Sequence, residues 1–258
     1  MEDPATEGVA IDLSAGGKLV LFTQERNTIA DVANEVDALL QWLGTPVGFT
    51  VYLWWRDDPR VLEADEWPTR SNVNGGWATP GSTVINIYRK EEYDRVLLHE
   101  TIHALEWDWK MSEMPVRPLP CWGLEGGQTE PHLFEAWTEL YAEWLWCGWH
   151  NVPWETQRKW QDYQAIQILA RQGNKAWNEN TNVFAYYVLK AALAPHIEFL
   201  WVFGNGITDE ERYTVLCRFT TPKLEEFRAR VRSKNTNAIP ERMSLRMTAL
   251  DFYSNMSK

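Results

Sequence analysis

The chain has 258 residues, 45% hydrophobic and 24% charged, a length and balance that support a buried core and argue against extensive disorder. Its 25 basic and 36 acidic residues leave a formal charge of −11, which repels phosphate backbones and disfavours a nucleic-acid partner.

Residues 1–17 are small and polar and read as a loose leader, followed by one domain over 18–258. Lys18–Thr23 is a strand-like run. Asn27 to about Leu43 carries Ile29, Val32, Val36, Leu39, Leu40 and Leu43 at helical spacing. Phe49–Trp55 returns to β-type residues, and about Arg56 to Gly81, rich in Pro, Gly, Asn and Asp, reads as a long loop containing Asn72-Val-Asn-Gly-Gly-Trp77. Thr83–Tyr88 is the next strand, leading into a helix through Val96, Leu97, His99, Glu100, His103, Ala104 and Trp107. A Pro- and Gly-rich passage from about Met114 to Pro131 precedes helices over about His132–Trp149, Tyr163–Ala170 and Val183–Ala194, the last closed by Pro195. Thr208–Phe219 and Pro222–Arg232 also read as helical. Strands first and helices later predict an α+β fold. A small β-bearing lobe (about 18–110) and a helical lobe (about 111–258) are expected to flank a cleft.

Cys121, Cys147 and Cys217 are odd in number, widely separated and without a Cys-x-x-Cys pair, so neither a disulfide framework nor a thiolate zinc site is expected. A reducing compartment fits that usage. No basic region followed by an apolar run opens the chain, and no stretch reaches membrane-spanning length, so neither common secretion nor a membrane partner is expected.

His99-Glu-Thr-Ile-His103 carries the chemistry. Two histidines four apart project from one helical face and can share a zinc ion, while Glu100 can take a proton from water. Chance produces such a pentapeptide in roughly one chain of this length in a hundred, so context has to support it. An open catalytic site needs a third protein donor. A third histidine in the longer zinc motif is excluded, because Glu106 and Trp109 occupy the corresponding positions. Glu135 and Glu139 lie one turn apart on the following acidic helix, with Glu143 extending the row. The usual meaning of such a row is a solvated face, but beside two upstream histidines Glu135 reads as the ligand. Glu139 then accepts the outer N–H of a ligating histidine, and the two roles are interchangeable at this level. His132, His150 and His196 read as structural or surface residues.

The pair His99-Glu-Thr-Ile-His103 and Glu135-Ala-Trp-Thr-Glu139 resembles the gluzincin zinc metallopeptidases, the class that includes thermolysin. Asn72–Trp77, Ile85–Glu92 and Val96–Glu100 are together similar to metallopeptidases encoded by large DNA viruses. The resemblance implies zinc bound by His99, His103 and Glu135, with Glu100 as general base. It also implies a tyrosine or histidine that donates to the developing oxyanion, for which Tyr186 in Asn182–Lys190 is the candidate. Further, it implies that the strand before the metal helix, Thr83–Tyr88, offers an edge to an extended substrate.

The sequence therefore predicts a zinc-dependent peptidase acting on a peptide or protein, cytoplasmic or virion-associated. Two other readings are a catalytically silent zinc-binding structural protein, of the virion for example, and a zinc hydrolase or amidase with a non-peptide substrate.

Overall fold

Gly8–Asp12 (β1) pairs along its whole length, antiparallel, with Lys18–Phe22 (β2), in a computed structural model that describes residues 8–45, 48–64, 66–108, 119–124, 132–178, 181–200, 208–233 and 240–249. The expected loose leader thus contributes an edge strand from residue 8. Its residues 1–7 lie outside the described residues. Sequence reading missed β1 because Gly8-Val-Ala-Ile-Asp12 has too few bulky residues for a period-two signal.

By its internal contacts the chain divides into two compact units. One is built from the chain up to Pro59 together with Asn74–Trp107, the other from Arg60–Val73 and the chain from Asp108 onward. The sequence placed a boundary near residue 110 but did not transfer Arg60–Val73 to the second unit. The architecture is α+β.

In the first unit, Ile29–Trp42 (α1) buries Val32, Val36, Leu39 and Leu40, the stripe expected from their spacing. It links β2 to Thr50–Trp54 (β3), with which β2 runs parallel. Residues alternate between buried and half-buried along β3. Val84–Ile87 (β6) lies parallel to β3 and is flanked on its other side by the short antiparallel strand Gly76–Ala78 (β5). The sheet order is β1-β2-β3-β6-β5. Ile85, Asn86 and Ile87 are all buried, as befits a strand covered on both faces. Thr83–Tyr88 is therefore no edge strand, which corrects the expectation that it pairs with substrate; within this sheet the edge next to it is β5.

Tyr93–Ala104 (α3) packs on β5 and β6. Every residue from Arg95 to Ala104 is buried, so the helix is enclosed all round and its sequence shows little amphipathy. Glu92, the residue before it, adopts a left-handed conformation (φ 58°), uncommon for a residue with a side chain. The Tyr93 hydroxyl donates to Glu35, tying the start of α3 to α1.

In the second unit, the region read as a loop between 56 and 81 contains Val61–Glu63 (β4) and a helical turn, Arg70–Val73 (α2). β4 pairs antiparallel with Arg242–Ser244 (β7) near the far end of the chain. Elements of three or four residues are too short for periodicity to reveal. Leu133–Trp149 (α4) matches the expected second helix. Trp154–Gln172 (α5) extends well before the expected Tyr163, because its inward face carries Gln157, Gln161 and Gln164, all fully buried. These side chains strap down the 244–249 segment. Gln157 donates to the Met247 carbonyl (2.6 Å) and accepts from the Ala249 N–H (2.9 Å), and Gln164 donates to the Arg246 carbonyl (2.6 Å).

The expected helix at Val183–Ala194 begins as a π-helical stretch, Phe184–Leu189. It continues through Lys190–Leu193 (α6) and a 3₁₀ turn holding Pro195 into Ile197–Leu200 (α7). Asp209–Ser233 (α8) is one helix with Pro222 inside it rather than two. Cys121 and Cys217 form a disulfide across 96 positions, contrary to the expectation of none; spacing along the chain does not disclose so distant a pair. Cys147 is buried, and burial pushes its thiol up to about 12. Among the described residues no helix is long and apolar enough to cross a membrane. Most of the Met114–Pro131 passage lies outside the described residues.

Candidate metal centre

The first half of the centre is set by α3. Positions 99 and 103 are one turn apart, and the imidazoles converge with Nε2 to Nε2 at 3.0 Å and rings at 79° to each other. Two nitrogens bound to one tetrahedral zinc at about 2.05 Å stand roughly 3.3 Å apart, so the pair is spread about as a shared ion requires. Two ring lone pairs at that distance repel unless a proton or a cation lies between them. His99 and His103 are 6% and 8% exposed, which excludes the surface pair that their residue type would suggest.

Glu100 lies between them in sequence and is 6% exposed. The strand β5 comes so near that a Cβ on Gly76 would stand 2.6 Å from the Asn86 carbonyl oxygen, 2.7 Å from Val96 Cγ1 and 3.1 Å from Glu100 Cγ. The Asn-Gly-Gly-Trp motif thereby has a physical reason: only glycine lets β5 lie against α3 at the level of Glu100.

The carboxylates that the sequence assigned to the centre lie on α4, in the second unit. Glu135 is half-buried and accepts a hydrogen bond from the Tyr186 hydroxyl at 2.9 Å. Burial, followed by the charge of Glu135, raises the Tyr186 phenol well above its ordinary value, so it stays a proton donor. The sequence assigned Tyr186 to the oxyanion; here its proton is directed at Glu135. Glu139 is 2% exposed, so the solvated-face reading of the acidic row fails for it.

Glu143 has a different employment. With no exposed surface, it accepts from Lys190, which is equally buried, and from Gln161 and Gln157, the last at 2.9 Å. Burial pushes its carboxyl up to about 7 against the pull of Lys190. Sequence reading missed Lys190, Gln157 and Gln161. The available signals were a lysine inside the apolar run Val183–Leu193 and glutamines at helical spacing on α5. Thr138, between the carboxylates, donates to the buried Asp108 at 2.9 Å.

His132, His150 and His196 lie against the rings of Phe134, Trp146 and Phe219 respectively, contacts that suit packing. The donor types offered by His99, His103 and Glu135 match zinc's preference for imidazole and carboxylate. No family model, characterised protein or solved structure matches the chain, so the reading of this centre rests on its own residues.

Proposed function

We propose that the protein is a zinc-dependent peptidase in which His99, His103 and Glu135 hold the metal and Glu100 is the general base. The observation that carries this reading is the convergence of two buried imidazole nitrogens to 3.0 Å on a helix that also presents Glu100. Bound zinc would lower the pKa of a water molecule to about 7 and polarise the scissile carbonyl. Glu100 then takes the proton from the attacking water and delivers it to the leaving amine. Tyr186 orients Glu135 through its hydroxyl and keeps one carboxylate oxygen occupied, as partners of metal ligands commonly do. An extended substrate is best accommodated along β5, the sheet edge that passes beside Glu100.

The purified protein is expected to carry about one zinc per chain by elemental analysis, held by the three donors His99, His103 and Glu135. The zinc-loaded protein should cleave members of a peptide library. Glu100→Gln should retain metal and fold while the rate drops by at least about a hundredfold, because the amide accepts no proton. Near-normal turnover in that variant would remove Glu100 from its role. Zinc binding without cleavage of any peptide would overturn the peptidase reading.

A further inference from the structure

The second unit contains a cavity of about 730 Å³, within the range that takes small organic ligands. Its walls come from the end of α5 and the turn after it, from the Gly123 turn, from Trp177 and Phe184, and from the last turns of α8. Lys175, Arg228 and Arg232 line it, and among the described residues no aspartate or glutamate does, in a chain whose net charge is −11. Arg228 and Arg232 are one turn apart on α8 and both line the cavity.

This wall is built rather than incidental. The Arg228 guanidinium donates to the Trp122 carbonyl and lies over Gly123, where a Cβ would meet Nη2 at 2.7 Å. Gly123 has φ +65°, so glycine serves here for both conformation and space. The Cys121–Cys217 disulfide ties the same turn to α8, with Cα atoms 5.8 Å apart. Trp177 is 5% exposed, and its Nε1 has no hydrogen-bond partner among the described residues, a costly state for a buried donor. Its ring meets Phe184 edge-on at 5.1 Å, giving the cavity an aromatic wall beside its cationic one.

We propose that this cavity is a ligand site for a small anionic molecule with an aromatic body. Its carboxylate or phosphate is held by Arg228, Arg232 and Lys175, and its ring lies against Trp177 and Phe184. The fork of a guanidinium suits either anion.

Calorimetric titration of the full chain with 1-naphthyl phosphate, 1-naphthoate, inorganic phosphate and the neutral 1-naphthalenemethanol tests this. At least one aryl anion should bind, with inorganic phosphate and the neutral alcohol each weaker by about tenfold or more, since each lacks one half of the recognition. The doubly substituted Lys175→Glu, Arg232→Glu chain alters two exposed side chains, so its fold should persist by circular dichroism. Its affinity for the aryl anion should fall by at least about tenfold. Trp177→Phe keeps the ring, removes the donor and should cost a smaller factor. His103→Ala should leave aryl-anion affinity unchanged; loss there would mean the anion sits on the histidine pair and would overturn the proposal. Equal binding of the neutral alcohol, unchanged affinity in the double variant, or no binding of any probe would overturn it as well.

Discussion

Helix α3 buries two histidines and a glutamate against a sheet, whereas α4 buries Glu139 and Glu143 among other helices of its unit. On α4 the charge of Glu143 is answered by Lys190, Gln157 and Gln161. That set closes as a structural network, with each partner buried and hydrogen-bonded. On α3, His99 and His103 point their Nε2 atoms at each other, a pairing in which donor and acceptor depend on the tautomer. Burial of polar groups is thus the same observation with two meanings. Complementary charged partners close a network around Glu143, and two imidazoles facing one another leave a place for a shared proton or cation.

The largest effect that would sharpen this contrast is expected at Lys190. Lys190→Met leaves Glu143 buried without its cation and should cost about 3–5 kcal/mol of unfolding free energy in urea. Glu143→Leu combined with Lys190→Met should recover much of that loss. By comparison, His103→Ala in metal-free protein should cost far less stability, and an equal cost would break the distinction between the two helices.

A next effect separates the two remaining carboxylates of α4. Glu135→Ala should largely empty the metal site, whereas Glu139→Ala should weaken zinc affinity or activity by roughly ten to a hundredfold, the range for a group that orients a ligand. Competition with a chelator ranks them. The reverse order would exchange their roles, and no effect from either would remove α4 from the centre. The smallest effect is expected at Gly76. Gly76→Ala drives a methyl group into Val96, Glu100 and the β6 backbone, and overpacking of this kind costs about 1–3 kcal/mol. Turnover should fall with it, because Glu100 is among the atoms displaced; a variant as stable and active as the parent would show that β5 does not fix Glu100.

Much of this was legible in the sequence where a residue's neighbours along the chain set its environment. Val32, Val36, Leu39 and Leu40 predicted α1, and the spacing of His99 and His103 predicted a shared face. Where distant partners decide, the sequence was mute. Arg60–Val73 belongs to the second unit because β4 pairs with β7, close to the other end of the chain. The disulfide spans 96 positions. Thr83–Tyr88 looked like an edge strand, and only the pairing of β5 with β6 makes it internal. The glutamines of α5 drew no reading from the sequence, since polarity does not tell a buried amide from an exposed one, yet their amides hold Glu143 and the backbone of 244–249. Among the carboxylates, residue type and spacing gave the row on α4 but not the division of labour along it, which depends on Lys190 and Tyr186.

The π-helical stretch at Phe184–Leu189 bears on how the chain tolerates changes of length. A wide turn of this kind amounts to one residue accommodated inside a helix without unravelling it. Deleting a single residue there would let the segment tighten into ordinary α-geometry, with the helix before and after it keeping its orientation. Tyr186 reaches Glu135 from within the stretch and Lys190 reaches Glu143 just after it, so a shortened chain would keep one of these contacts in register and lose the other. Codon deletions across 184–189 should therefore leave the Lys190–Glu143 pair in place and set Glu135 loose, whereas deletions in the exposed turn at Gly173 and Asn174 should disturb neither.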